Sequence, residues 1–275
     1  MSEITNNSRR QFLTGSATVA SAAALGACAN NDAGQIVQAA TAKETNEEPY
    51  VLDTPPIVSM AVNGTRARFP VRRVYCLGRN YRAHAIESGD DPNVTPPFFF
   101  MKPRDAVIDS REGFPYPQAT KALRYEAEMV VALKSGGKNI AVDDALEHVY
   151  AYGVGLDMTR EDLQSTAQDL SRPWAISKSF DNSAPCGPLS RVTTNGHAIQ
   201  GRIWLSVNGE LKQDSNIDRQ RWSVAEGIAV LSAHYELTSG DIILTGTPEG
   251  IGLVVKGDVI RAGIEGLGEI QVTVV

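Results

Sequence analysis

The sequence predicts an α+β domain in which strands dominate, and three observations carry that prediction. From residue 57 onward, short β-type runs recur with turn residues between them. Helical periodicity is confined to a few short stretches. No G-x-G-x-x-G follows a strand, which excludes a doubly wound nucleotide-binding fold.

The elements follow in chain order. Residues 71–77 read as a strand ended by Gly78, and residues 98–101 as an apolar run fenced by Pro96, Pro97 and Pro103. Residues 125–133 give the clearest strand, closed by Ser135, Gly136 and Gly137, and residues 150–156 give another. A short helix is expected at 142–149, and a longer one from Thr159 to about residue 170 with Asp157 or Thr159 as its cap. Residues 203–207 run into Asn208-Gly209, the dipeptide of a two-residue hairpin turn. Val224, Ile228, Leu231 and Tyr235 have helical spacing, and Ser223 with Glu226 forms a capping-box pattern in front of them. Runs at 242–245, 259–262 and 270–275 complete the strands.

At 275 residues with 42% hydrophobic and 21% charged, the chain can bury one sizeable core or at most two small ones. A net charge of −6 gives no electrostatic case for a nucleic-acid partner. Three cysteines are too few for a disulfide framework or a thiolate zinc site. No run of eighteen strongly apolar residues is present, so no permanent membrane-spanning helix is expected.

Residues 1–29 resemble a bacterial twin-arginine export signal: Arg9 and Arg10 precede Phe12 and Leu13, and an uncharged, weakly hydrophobic stretch follows to Ala27. Ala27, Cys28 and Ala29 offer a small-x-small cleavage site. Leu25, Gly26, Ala27 and Cys28 offer instead a lipoprotein box, in which a lipidated Cys28 would tether the protein to a membrane. Either exit predicts a periplasmic location. The alternative is an alanine-rich helix of a cytoplasmic protein, although the polar face such a helix needs is missing. Residues 30–56 set Lys43 against Asp32, Glu44, Glu47, Glu48 and Asp53 and read as a disordered acidic linker. Residues 57–275 are left as the domain.

Tyr125-Glu126-Ala127-Glu128 carries the most chemical information. Side chains two apart on a strand share a face, so Glu126 and Glu128 project together and repel. A divalent cation with hard oxygen ligands would relieve that repulsion, and so would the solvent face of an edge strand, the commoner arrangement. Asp157 ends the next apolar strand, a position that suits either a site or a helix cap. Lys178 is an isolated cation in an apolar and hydroxyl run, where a snorkelling role is the ordinary one. His84 and Glu87 lie three apart, which on a helix makes an ion-paired histidine, at the surface or in a site. Cys76, Cys186, Met129 and the three phenylalanines at 98–100 read as packing, and His148, His197 and His234 carry no functional signal.

Taken in order, G-R-N-Y at 78–81, His84 with Glu87, Lys102-Pro103, Y-E-x-E at 125–128, G-x-D-M-T at 155–159, K-S-F-D at 178–181, Gly187-Pro188 and T-G-T-P at 245–248 resemble the fumarylacetoacetate hydrolase family, in its fumarylpyruvate hydrolase and acylpyruvase branch. The resemblance implies a mixed β-sandwich roll with short helices. It implies Mg2+ or Mn2+, with Ca2+ as a further hard cation, held by Glu126, Glu128 and Asp157. It places Lys178 beside a developing enolate and His84 with Glu87 as the base that activates water, on a lid. Gln164 and Thr247 fall at substrate-contacting positions, and Arg79, Arg82 and Arg160 are the candidates for a distal carboxylate. Many acylpyruvases carry an arginine where this chain has Glu161. The implied reaction is hydrolytic cleavage of a carbon–carbon bond in a diketo acid, giving pyruvate and a carboxylic acid, by a homodimer. Oxaloacetate decarboxylation or keto–enol tautomerisation would use the same site, and a non-catalytic exported binding protein would bind such acids without turnover.

Overall fold

The computed structural model describes residues 50–93 and 96–275. The export signal, Cys28 and the linker up to residue 49 lie outside the described residues. The unit Thr54–Val275 is built around the strand Ala127–Leu133, whose seven residues are all buried. A strand of this kind needs partners on both edges and cover on both faces. Val149–Leu156 and Ile242–Leu244 flank it, both antiparallel. From these three an eight-stranded mixed sheet extends. On one side come Val74–Leu77, parallel to Ile242–Leu244, and then Phe99–Lys102. On the other come Ala184–Cys186 and Val107–Asp109, with Ser190–Arg191 also pairing Val149–Leu156.

Period-two alternation along the central strand divides its side chains between two cores. Met129, Val131 and Leu133 pack with Ile203, Leu205, Ile260 and Val272 of a four-stranded antiparallel sheet, ordered Glu210–Asn216, Arg202–Val207, Val259–Ile264, Gly268–Thr273. Val130 and Ala132 face the opposite way, against Val74, Cys76, Cys186 and Leu244. Each fully buried aliphatic side chain here contributes about 1.5–3 kcal/mol. Gly155 has a packing reason to lack a side chain: a Cβ would meet Val130 Cγ2 at 2.8 Å. The fold is therefore α+β and mostly β, as the strand pattern predicts.

Local chemistry explains where the expected elements hold and where they shift. Asn208 and Gly209 adopt φ values of 52° and 85°, the hairpin turn their identities demand. The helix Val224–His234 carries the full capping box of Ser223 and Glu226. The strand expected at 71–77 starts only at Val74, because the Val71 and Arg72 amides bond to the Val58 and Gly240 carbonyls instead. The helix expected at 142–149 is a single turn, Val142–Ala145, followed by a tighter 3-10 turn, Leu146–His148. The helix expected from Thr159 begins at Glu161, because Thr159–Arg160 pairs as a strand with residues 123 and 124. Neither Asp157 nor Thr159 caps it. Both side chains are engaged in the buried cluster described below. Among the described residues no helix is long and apolar enough to cross a membrane.

The expected strand at 125–133 is the most informative departure. It breaks at Glu126 into Leu123–Tyr125 and Ala127–Leu133. The first piece joins a separate three-stranded sheet with Gly252–Val254 and Thr159–Arg160. At the break the Glu126 carbonyl accepts the Asp157 amide at 2.9 Å, and the Ala127 amide donates to the buried Gln213 side chain at 3.0 Å.

Candidate active site

The break brings three carboxylates together. Ala127 pairs with Leu156 across the sheet and Glu128 with Gly155, so Asp157 emerges beside Glu126. Glu126, Glu128 and Asp157 are all buried, and each offers an oxygen within 4.8 Å of the others. Burying three carboxylates side by side is costly unless cations balance them. Lys178, the last residue of the short helix Ala175–Lys178, donates to Glu126 Oε1 at 2.8 Å and Asp157 Oδ2 at 2.6 Å. The Lys102 ammonium lies 2.7 Å from Asp157 Oδ1. Arg124 and the Thr159 hydroxyl donate to Glu126 Oε1 at 2.8 and 2.9 Å.

Glu128 is treated differently. Its Oε2 accepts the Gly246 amide at 2.7 Å, and none of its ion pairs to a cation is found among the described residues. Gly246 can aim that amide because its φ of 92° and the Asn80 Cβ, 2.6 Å from where its own Cβ would stand, both exclude a side chain. Burial, then Asp157 and Glu126, push the Glu128 carboxyl well above the usual carboxylate range. Burial acts in the same direction on Glu126, but Lys178 and Arg124 outweigh it and hold that carboxyl low. Burial pulls the Lys178 ammonium down, and Asp157 and Glu126 more than restore it. Three hard oxygen donors without nitrogen or sulfur suit a divalent Mg, Mn or Ca ion, and Glu128 is the ligand whose charge such an ion would settle.

These carboxylates form the floor of a cavity of about 240 Å³. His84 and Glu87 lie above it on the six-residue helix Arg82–Glu87, with His84 Nδ1 3.2 Å from Glu87 Oε2. Glu87 Oε1 accepts the Gly250 amide at 3.2 Å, which ties the helix to the loop opposite. With Glu87 on Nδ1, Nε2 is left as the nitrogen for proton transfer. Lys178, Arg79, Gln164 and Thr247 also line the cavity. Thr247 Oγ1 accepts from Gln213 Nε2 at 2.9 Å, so its own proton is free to be donated to a ligand. The Arg79 backbone is left-handed (φ 52°), and its guanidinium pairs with Asp90 and lies 5.7 Å from the Trp174 ring.

Two of the three candidate arginines do not join this group. Thr159 points inward to Glu126, so Arg160, the next residue in the same strand, points away. The Arg160 guanidinium stacks on Phe180 at 4.3 Å. Arg82 bonds to Asn93 Oδ1 at 2.9 Å on the exposed side of its helix. Three participants were not found by sequence reasoning. Lys102 was seen only as part of a motif, yet it is 1% exposed and held by Asp157, Ser183 and the Met158 and Lys178 carbonyls. Its position in an otherwise apolar strand, Phe-Phe-Met-Lys, was the available signal. Phe100, read as packing alone, lines the cavity with the Lys178 ammonium 5.1 Å from its ring. Arg124 gave no signal at all, since a lone arginine on a short strand is ordinary.

A family model described as fumarylacetoacetate (FAA) hydrolase C-terminal matches residues 73–275. The fumarylpyruvate hydrolase of Ralstonia sp is 43% identical over 185 residues, 67% of this chain and 95% of that relative. The mitochondrial oxaloacetate decarboxylase of Dictyostelium discoideum is 35% identical over 200 residues, 71% of this chain and 90% of that one. The crystal structure of fumarylpyruvate hydrolase from Pseudomonas aeruginosa in complex with Mn2+ and pyruvate matches with a TM-score of 0.81 at 47% identity, covering 82% of this chain and 99% of that chain. A match that runs from the first strand of the main sheet to the last residue, over a sheet that gathers its carboxylates into one cavity, makes this chain a member of the fumarylacetoacetate hydrolase family.

Proposed function

We propose that the protein is a divalent-metal-dependent hydrolase that cleaves an acylpyruvate or fumarylpyruvate-like diketo acid into pyruvate and a carboxylic acid. The observation that carries this reading is one cavity holding three convergent carboxylates, a lysine against two of them, and a carboxylate-paired histidine. Glu126, Glu128 and Asp157 would hold Mg2+ or Mn2+, whose contribution when bound is Lewis-acid polarisation and orientation of a 2-oxo acid. His84 Nε2 takes a proton from water, and Glu87 stabilises the imidazolium that forms. The hydroxide adds to the acyl carbonyl. The bond between that carbon and the pyruvyl methylene then breaks, and the electron pair leaves with the pyruvyl fragment as its enolate. The Lys178 ammonium offsets the charge on the enolate oxygen. Proton return to the methylene carbon yields pyruvate.

The test is a product assay with Mg2+ or Mn2+ across fumarylpyruvate, acetylpyruvate and oxaloacetate. Pyruvate and the matching acid should appear from the diketo acids, and a chelator should stop both. Decarboxylation or enolisation of oxaloacetate, with no diketo-acid cleavage, would instead favour the second reading. That reading draws on the 35% identity to an oxaloacetate decarboxylase and needs the same carboxylates and lysine without the hydrolytic water.

We further infer from the sequence that residues 1–29 direct export to the periplasm, with or without lipidation of Cys28, and that the domain works as a homodimer. Export in the folded state would let the metal be loaded before translocation. Fractionation of cells expressing the full chain, mass measurement of the mature N-terminus and the mass of the purified domain in solution test these points.

A further inference from the structure

Arg124 lines the same cavity and has no place in the reaction just described. Its side chain is only 13% exposed, and its guanidinium spans three groups. Nε and NH2 donate to Glu126 Oε1 at 3.2 and 2.8 Å, NH2 donates to Gln164 Oε1 at 2.6 Å, and NH1 donates to Glu161 Oε2. Glu161 and Gln164 are one turn apart on the helix Glu161–Asp169 and both line the cavity.

Glu161 is the unexpected member. A carboxylate on the wall of a cavity for anionic keto acids repels its ligand, unless the guanidinium it covers is where a ligand carboxylate docks. Three features fit that role. Glu161 opens a nine-residue helix, and the dipole there favours a negative charge whichever molecule supplies it. Its side chain is 35% exposed, so it can turn out into water while the more deeply buried Arg124 stays. An incoming carboxylate would also restore the charge balance that Glu161 gives up, through a charge-assisted contact to the NH1 that Glu161 vacates. The other cations of the cavity are placed otherwise. Lys178 is divided between Glu126 and Asp157, and Arg79 is held by Asp90 against Trp174.

We propose that Arg124 recognises a second carboxylate, at the acyl end of the substrate, and that Glu161 holds that seat until substrate arrives. The proposal rests on the diketo-acid reading of the site and narrows it to substrates with a carboxylate tail. The rival role for Arg124 is to position Glu126 alone, which would affect all substrates equally.

The test compares kcat/KM of the Mn2+-loaded full chain for fumarylpyruvate, with a carboxylate tail, and acetylpyruvate, with a methyl tail. In R124M the ratio of the two should fall on the order of tenfold to a hundredfold, the effect of losing a charge-assisted contact. R124K keeps the charge without the fork and should give an intermediate ratio, which guards against misfolding of the methionine variant. In E161Q the ratio should rise about threefold or more, because a neutral amide competes less well for the guanidinium. An unchanged ratio in R124M and R124K, with the wild type active on both acids, overturns the assignment of Arg124 and leaves the diketo-acid reading intact. An unchanged or lower ratio in E161Q overturns the role of Glu161. A wild type that cleaves neither acid fails the diketo-acid reading first, and this proposal with it.

Discussion

The two halves of the cavity are built in opposite ways. The carboxylate floor rests on paired strands: Glu128 lies within the central strand, Glu126 at its broken end and Asp157 one residue past its neighbour, all buried and each fixed by hydrogen bonds or ion pairs. His84, the proposed base, sits on a six-residue helix with exposed neighbours at Ile86 and Glu87. That helix is tied to the loop opposite through Glu87 and Gly250. The difference separates holding from reacting. Sheet register fixes the three carboxylates, whereas the helix Arg82–Glu87 buries only His84 and Ala85, as the proposed reading of a movable base requires.

Substitutions on the two sides should therefore fail differently. Asp157→Ala removes one of the three proposed ligands and leaves Lys102 and Lys178 without a shared partner, so diketo-acid turnover should fall by roughly 10³-fold or more, together with loss of Mn2+ binding. His84→Ala should lower kcat by about 10²–10⁴-fold while Mn2+ affinity stays near wild type. A parallel loss of metal affinity in that variant would show that the two halves are not separable. Glu87→Gln keeps the shape of the helix but weakens the tie to the imidazole. A loss of about tenfold to a hundredfold in kcat is expected, read from steady-state kinetics.

The smallest effect is a proton count. Burial, then Asp157 and Glu126, raises the Glu128 carboxyl well above the usual carboxylate range, so a cation binding beside it must expel any proton it holds. Binding of Mn2+ should thus release up to about one proton, seen as a dependence of the calorimetric heat on buffer ionisation, and affinity should fall as the pH is lowered. Heats independent of buffer would contradict this account of Glu128.

How much of this was legible in the sequence depends on the distance over which each signal acts. The capping box at Ser223 and the Asn208-Gly209 turn are local, and both form as written. The E-x-E pattern singles out two glutamates that the structure gathers with Asp157, but it implies one continuous strand. The break at Glu126 depends on Gln213 and Asp157, 87 and 31 residues away, which no local pattern contains. Arg160 is a candidate by residue type alone, and one strand pairing at Thr159 turns its side chain away from the cavity, which no local pattern reveals. Arg124 gives no local signal, because its partners Glu161 and Gln164 lie 37 and 40 residues away. Glu161 occupies a position where many acylpyruvases carry arginine, yet only the fold shows that a guanidinium reaches it from another strand.

The central claim is that the broken strand and its neighbour assemble one seat for a hard divalent ion. Titration of Mn2+ into the metal-free full chain, followed by electron paramagnetic resonance for the wild type and for Asp157→Ala and His84→Ala, tests it most directly. The account predicts one tight site in the wild type, the same site in the histidine variant and none in the aspartate variant. Undiminished binding in Asp157→Ala would contradict it.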